Sequence, residues 1–130
     1  MKRQHFTAQI VTTGGDALHA SLEVVFFREY PYTIAYCPAL DLSAAASNQK
    51  EVKAEFAQVF EEYATDCLQN NTLKEDLLAH GWQFHDNTYQ APTMTQMLIG
   101  NRTLQDIVDN KTYQKQMVTL PPISTVRAFA

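Results

Sequence analysis

Side chains with reactive chemistry are thinly spread along this chain. His80 and His85 flank Gly81-Trp82-Gln83-Phe84 and, with Asp86, offer two imidazoles and a carboxylate to a metal. Their intervals match no zinc motif, and a helix end followed by Trp82 and Phe84 as core or staple residues accounts for the segment without one. Cys37 and Cys67 carry thiols, but a nucleophilic thiolate needs a base or cation beside it to depress its pKa, and the sequence places none there. Cys67 falls on an apolar helical stripe, where it reads as a small core hydrophobe. Glu23, Asp41 and the Glu61-Glu62 pair are the acids a two-metal nuclease centre would have to gather, yet acids on the outer face of a helix are ordinarily just solvated. Neither G-x-x-x-x-G-K nor G-x-G-x-x-G occurs, so the phosphate cradles those loops build are excluded. The chain is read as non-catalytic, with no metal and no cofactor.

The elements that must position any binding surface follow from periodicity. At 130 residues and 45% hydrophobic, the chain is one domain with a single core, residues 1–130. Leu18, Ala20, Leu22, Val24 and Phe26 alternate with His19, Ser21 and Glu23, the pattern of a half-buried strand over residues 18–26. Gly14-Gly15-Asp16 separates it from an earlier strand at residues 6–11, so the two form a hairpin. Residues 28–31 turn the chain into a third strand, 32–37, which Pro38 ends or confines to an edge before a short fourth strand at Leu40-Asp41-Leu42. Asn48 with Glu51 opens a long helix whose apolar positions Val52, Phe56, Val59, Phe60, Tyr63 and Cys67 step by threes and fours. Thr72 with Glu75, ending at Gly81, marks a second helix; Thr93 with Gln96, ending at Gly100, a third; residues 103–108 a fourth. A last strand, 114–120, stops at Pro121-Pro122. The reading is α+β: an antiparallel sheet of three to four strands, a long amphipathic helix on one face, further short helices and a C-terminal strand.

"YTIAYCPALDL" followed by the capped helix "NQKEVKAEFAQVFEEY" resembles the HicB-like family, in which a strand ends in aromatic-x-Ala-x-x-Pro-x-Leu before a helix; the matching positions are Ala35, Pro38 and Leu40, with the aromatic Tyr32 one residue farther from Ala35 than in the pattern. Glu51-Val52 fill the acid-plus-aliphatic pair at the helix start, and "TLKEDLLAHGW" is similar to the continuation in a longer subgroup, so the resemblance spans residues 18–82. It implies a partly degraded ribonuclease-H-like fold and an antitoxin that caps a small basic HicA toxin acting on RNA. The chain departs from the pattern where Ala45-Ala46-Ser47 replace a glycine before the helix and where Asp41-Leu42 replace Pro-Gly. "QMVTLP" is similar to the strand of a ribbon-helix-helix, but residues 122–130 are too few for its two helices. A divergent or orphan member is the reading.

Charge narrows the partners. Net charge is −4, and the ten Lys and Arg form no run longer than the Lys2-Arg3 pair, which argues against wrapping nucleic acid through phosphate neutralisation. The leading expectation is an antitoxin-type protein that meets a small basic toxin through Glu61 and Glu62, with Tyr30, Tyr32 and Tyr36 as apolar anchors around the third strand. The alternative is an RNA-binding module without a toxin, which needs Lys or Arg beside exposed aromatics on one face. The strand ending near Pro38 and the late strand 114–120 are candidate edges, so a homodimer is expected. Sparse cysteines and the absence of an apolar span point to a cytoplasmic protein with no membrane partner.

Overall fold

The computed structural model describes residues 8–13 and 17–124. β1 (Gln9–Thr13) and β2 (Ala17–Glu29) pair antiparallel from Gln9 opposite Ser21 to Thr13 opposite Ala17. Their glycine turn and the first residues of the expected strand, Phe6 and Thr7, lie outside the described residues. β3 (Tyr32–Cys37) folds back on β2 around Tyr30-Pro31. β4 (Leu42–Ala46) then pairs with β3. The fourth strand was expected at residues 40–42. It starts later because residues 38–41 form a turn with Asp41 in the left-handed region, φ 55°, which breaks the extended run.

α1 (Gln49–Gln69) begins where Asn48 Oδ1 accepts the backbone N–H of Glu51 at 2.9 Å, satisfying one of the donors a helix start leaves orphaned. α2 (Leu73–Ala79) follows, and Gly81 reverses the chain at φ 88°, a conformation that costs glycine little. Next come β5 (Gln83–His85), β6 (Thr88–Gln90), α3 (Met94–Gly100), α4 (Arg102–Asn110), β7 (Tyr113–Thr119) and β8 (Ile123–Ser124). Among the described residues no helix is long and apolar enough to cross a membrane.

Among the described residues the sheet is antiparallel and has eight strands rather than three or four. β2 is its spine: Val25, Phe26 and Phe27 pair with both β3 and β7, while Ala17 and Leu18 pair with both β1 and β8. β6 adds to β1, and β5 to β6. The alternation of β2 then decides the layers. Leu18, Ala20, Leu22, Val24 and Phe26 face Val52, Phe56, Phe60, Ala64 and Cys67 of α1 in the main core. Val25, on the opposite face, joins Tyr36 of β3 and Leu104 and Ile107 of α4 in a second, smaller core. The middle of the sheet is thus covered on both faces, where the sequence pointed to one.

The strand-to-helix motif lies in the main core. Ala35, Pro38 and Leu40 are buried, and the Trp82 Nε1–H donates to the Ala39 carbonyl at 2.7 Å, tying the turn to the segment after α2. A small side chain at Ala35 lets α1 approach β3 closely, and the Trp82 bond satisfies a carbonyl that the turn leaves unpaired in the interior.

Candidate partner-binding surfaces

A groove runs between the flank of α1 and the chain at β8. At one end Ala57, Phe60, Leu120, Pro121 and Pro122 line a cavity of about 190 Å³; at the other, Glu61, Glu62, Thr65, Asp66 and Gln69 line one of about 470 Å³, and Glu61 and Ile123 belong to both. Its position follows from local sequence. Pro121 and Pro122 cannot donate to a ladder, so the edge running along β2 breaks after β7 and resumes at β8 one residue out of step. Ile123 is buried by that step and forms an apolar wall. Glu62 and Asp66 stand one turn apart on α1 and Glu61 also lines the groove, so the wall facing Ile123 is acidic. An apolar floor under an acidic rim suits a basic chain that carries one apolar anchor.

A second surface of different chemistry occupies the β2–β3 turn. Tyr30 and Tyr32 are 86% and 53% exposed there. The Arg28 guanidinium lies 5.8 Å from the Tyr30 ring centre, and its Nη1 donates to Thr33 Oγ1 at 3.2 Å and to the Ser47 carbonyl at 3.3 Å. Those bonds hold the cation in place beside the start of α1. The Lys53 ammonium sits 5.7 Å from the Phe26 ring on the same face. Arg28, clamped beside the exposed Tyr30 ring, is a component of a single-stranded nucleic-acid platform, whereas the ring under Lys53 is buried.

The two surfaces do not merge. Ser47 anchors the tip at the N-terminal end of α1, and Glu61 comes about 18 Å farther along the helix at 1.5 Å per residue. Of the residues expected to contact a partner, Glu61 and Glu62 are brought together on the groove, while Tyr30 and Tyr32 are brought together at the tip.

Tyr36 belongs to neither. It is 4% exposed, beneath α4, where its hydroxyl donates to Asp41 Oδ1 at 2.9 Å and accepts from Asn101 Nδ2 at 2.9 Å. Burial chiefly raises its pKa to about 12, with the Asp41 carboxylate adding to the rise. As a surface anchor Tyr36 is therefore corrected: it is a buried strut that ties the turn at Asp41 to the start of α4 at Asn101. α4 covers it, a contact that the period-2 pattern of β3 cannot reveal.

The acids and histidines considered for metal chemistry are dispersed. Lys115 Nζ lies 3.6 Å from Glu23 Oε2, Asp41 holds Tyr36, and His85 sits 3.2 Å from Asp86 while His80 is turned to Asp76. Among the described residues no three His, Cys, Asp or Glu are grouped to hold a metal ion. Cys37 and Cys67 are buried free thiols, and desolvation pushes Cys37 up to about 12, toward the inert thiol form. The Tyr63 hydroxyl, also raised chiefly by burial, donates to Asp76 Oδ2 at 2.5 Å and clasps α1 to α2.

Sequence reasoning missed Asp66, Ile123 and the cation of Arg28. The first shows only in its helical spacing from Glu62. Ile123 is hidden behind a double proline that reads as a stop, and the two residues of β8 after it are too few to show a period. No protein-family model, no curated protein and no solved structure matches the chain.

Proposed function

We propose that this is a non-catalytic, HicB-like binding protein of antitoxin type, which neutralises a small basic RNA-acting toxin by holding a basic segment of it in the groove between α1 and β8. The observation that carries the reading is the pairing of an apolar floor at Phe60 and Ile123 with the acidic rim of Glu61, Glu62 and Asp66. The strand order leading into α1, with Ala35, Pro38 and Leu40 buried beneath it, supports the family resemblance on which the toxin's chemistry rests. Charge reversal tests it: Glu61→Lys with Glu62→Lys should slow association with the toxin mainly at low salt, because rim charges act through screened long-range attraction. Unchanged kinetics would remove the groove from the interface.

A second reading is favoured by the tip. Arg28 beside the exposed Tyr30 ring supports direct binding of single-stranded RNA, while Tyr32, by the alternation of β3, faces the other side of the sheet from Thr33 and Arg28. Arg28→Ala and Tyr30→Ala should each weaken RNA binding by the isolated chain, measured by fluorescence anisotropy, if the tip is used. Loss in neither variant would discard this reading.

A further inference from the structure

Among the described residues β7 is bonded on one side only: its sole ladder partner is β2, in register from Ser21 opposite Thr119 to Phe27 opposite Tyr113. One bond fixes which residues point which way. The Leu120 N–H donates to the Ala20 carbonyl at 3.0 Å, and those residues continue the same register, so Leu120 turns its polar backbone groups toward β2. By the period of two, Val118, Gln116 and Gln114 do likewise. Tyr113, Lys115, Met117 and Thr119 therefore direct their N–H and C=O groups to the open side.

We infer that this open edge pairs with the same edge of a second copy, antiparallel about Gln116, so that the two sheets become one. An antiparallel edge is complementary to itself under a two-fold axis, and the pairing closes because each copy uses its edge once. Side chains select the register. Centring on Gln116 sets Tyr113 opposite Thr119 and Lys115 opposite Met117 of the second copy, with each pair exchanging two backbone hydrogen bonds. Centring on Lys115 would oppose two like charges, and centring on Met117 would leave Tyr113 without a partner. Tyr113 and Met117 are large apolar side chains left exposed on the strand, and pairing would cover them. Charge favours this edge as well. The strand YQKQMVT has no acid, although the chain carries −4 overall, and Lys115 in mid-edge guards against unregistered addition.

The test uses sedimentation velocity on the full chain and two substitutions at one exposed position. Met117→Lys would set lysine opposite Lys115 of the second copy twice per dimer and weaken dimerisation by about tenfold, whereas Met117→Glu would set opposite charges together and keep or tighten it. The effect inside one chain has the reverse sign, since Met117 lies opposite Glu23. A dimer lost in Met117→Lys thus cannot be blamed on a weakened fold. Hydrogen exchange should show the Lys115 and Met117 amides protected in the wild-type dimer and exposed in Met117→Lys. A wild-type chain that stays monomeric at all concentrations would overturn the inference, as would a dimer that both substitutions leave unchanged or weaken equally.

Discussion

At the scale of single residues, Tyr36 and Cys37 sit side by side in β3 yet face opposite layers, and burial raises both side chains to a pKa of about 12. Tyr63, Cys67 and Tyr89 are raised in the same direction, chiefly by desolvation. All five ionise at higher pH folded than unfolded, so the stability they contribute is complete below the ordinary thiol value of 9.0 and is lost as pH climbs toward about 12. Urea midpoints measured across that range should fall, and the fall should be shallower in Tyr36→Phe, which cannot ionise there. At neutral pH the same substitution removes the bonds to Asp41 and Asn101 and should cost about 1–2 kcal/mol. A native chain should also leave a thiol reagent at Cys37 unreacted until it unfolds. Sequence showed that Tyr36 shares a strand side with Tyr32; it could not show that α4 covers one end of that side and leaves the other bare.

Among the elements, two starts with the same spacing behave differently. Thr93 Oγ1 accepts from the Gln96 N–H at 3.2 Å while Gln96 Oε1 accepts from the Thr93 N–H at 2.8 Å, a complete capping box at α3. Thr72, three residues before Glu75, makes no such bond at α2, because its backbone (φ −112°, ψ 2°) is not extended as a cap requires. Thr93→Ala should therefore cost about 1 kcal/mol in urea denaturation and Thr72→Ala less than about half of that. Phe56, buried between α1 and the sheet, should cost about 3–5 kcal/mol on truncation to Ala. The long elements β2, β3, α1 and β7 were legible because each carries several periods of pattern. β5, β6 and β8 were not, since two or three residues contain no period to read. The β5–β6 turn is informative: Asp86 and Asn87 both adopt positive φ, 49° and 63°, as a tight two-residue hairpin demands, but Asn stands where glycine usually signals it.

For the whole molecule, folding brings together charges that stand apart along the chain, although Glu51 in the first turn of α1 keeps that end mixed in sign. Arg28 and Lys53 collect near the start of α1, while Glu61, Glu62 and Asp66 line its later turns beside β8. Helical spacing made the acidic rim legible; the apolar wall opposite it depends on how β8 returns along β2, a long-range pairing with no local signature. If a toxin is held in the groove, Tyr32→Ala at the distant tip should leave its dissociation rate unchanged; a faster rate would mean that the partner spans both ends of α1. The most direct measurement of the central claim is calorimetric titration of the chain with a small basic toxin of the HicA type, accompanied by an RNA-cleavage assay of that toxin. The account predicts a complex at micromolar concentration that abolishes cleavage and that Glu61→Lys with Glu62→Lys weakens. No complex at that concentration, together with salt-sensitive binding of RNA by the isolated chain, would contradict it.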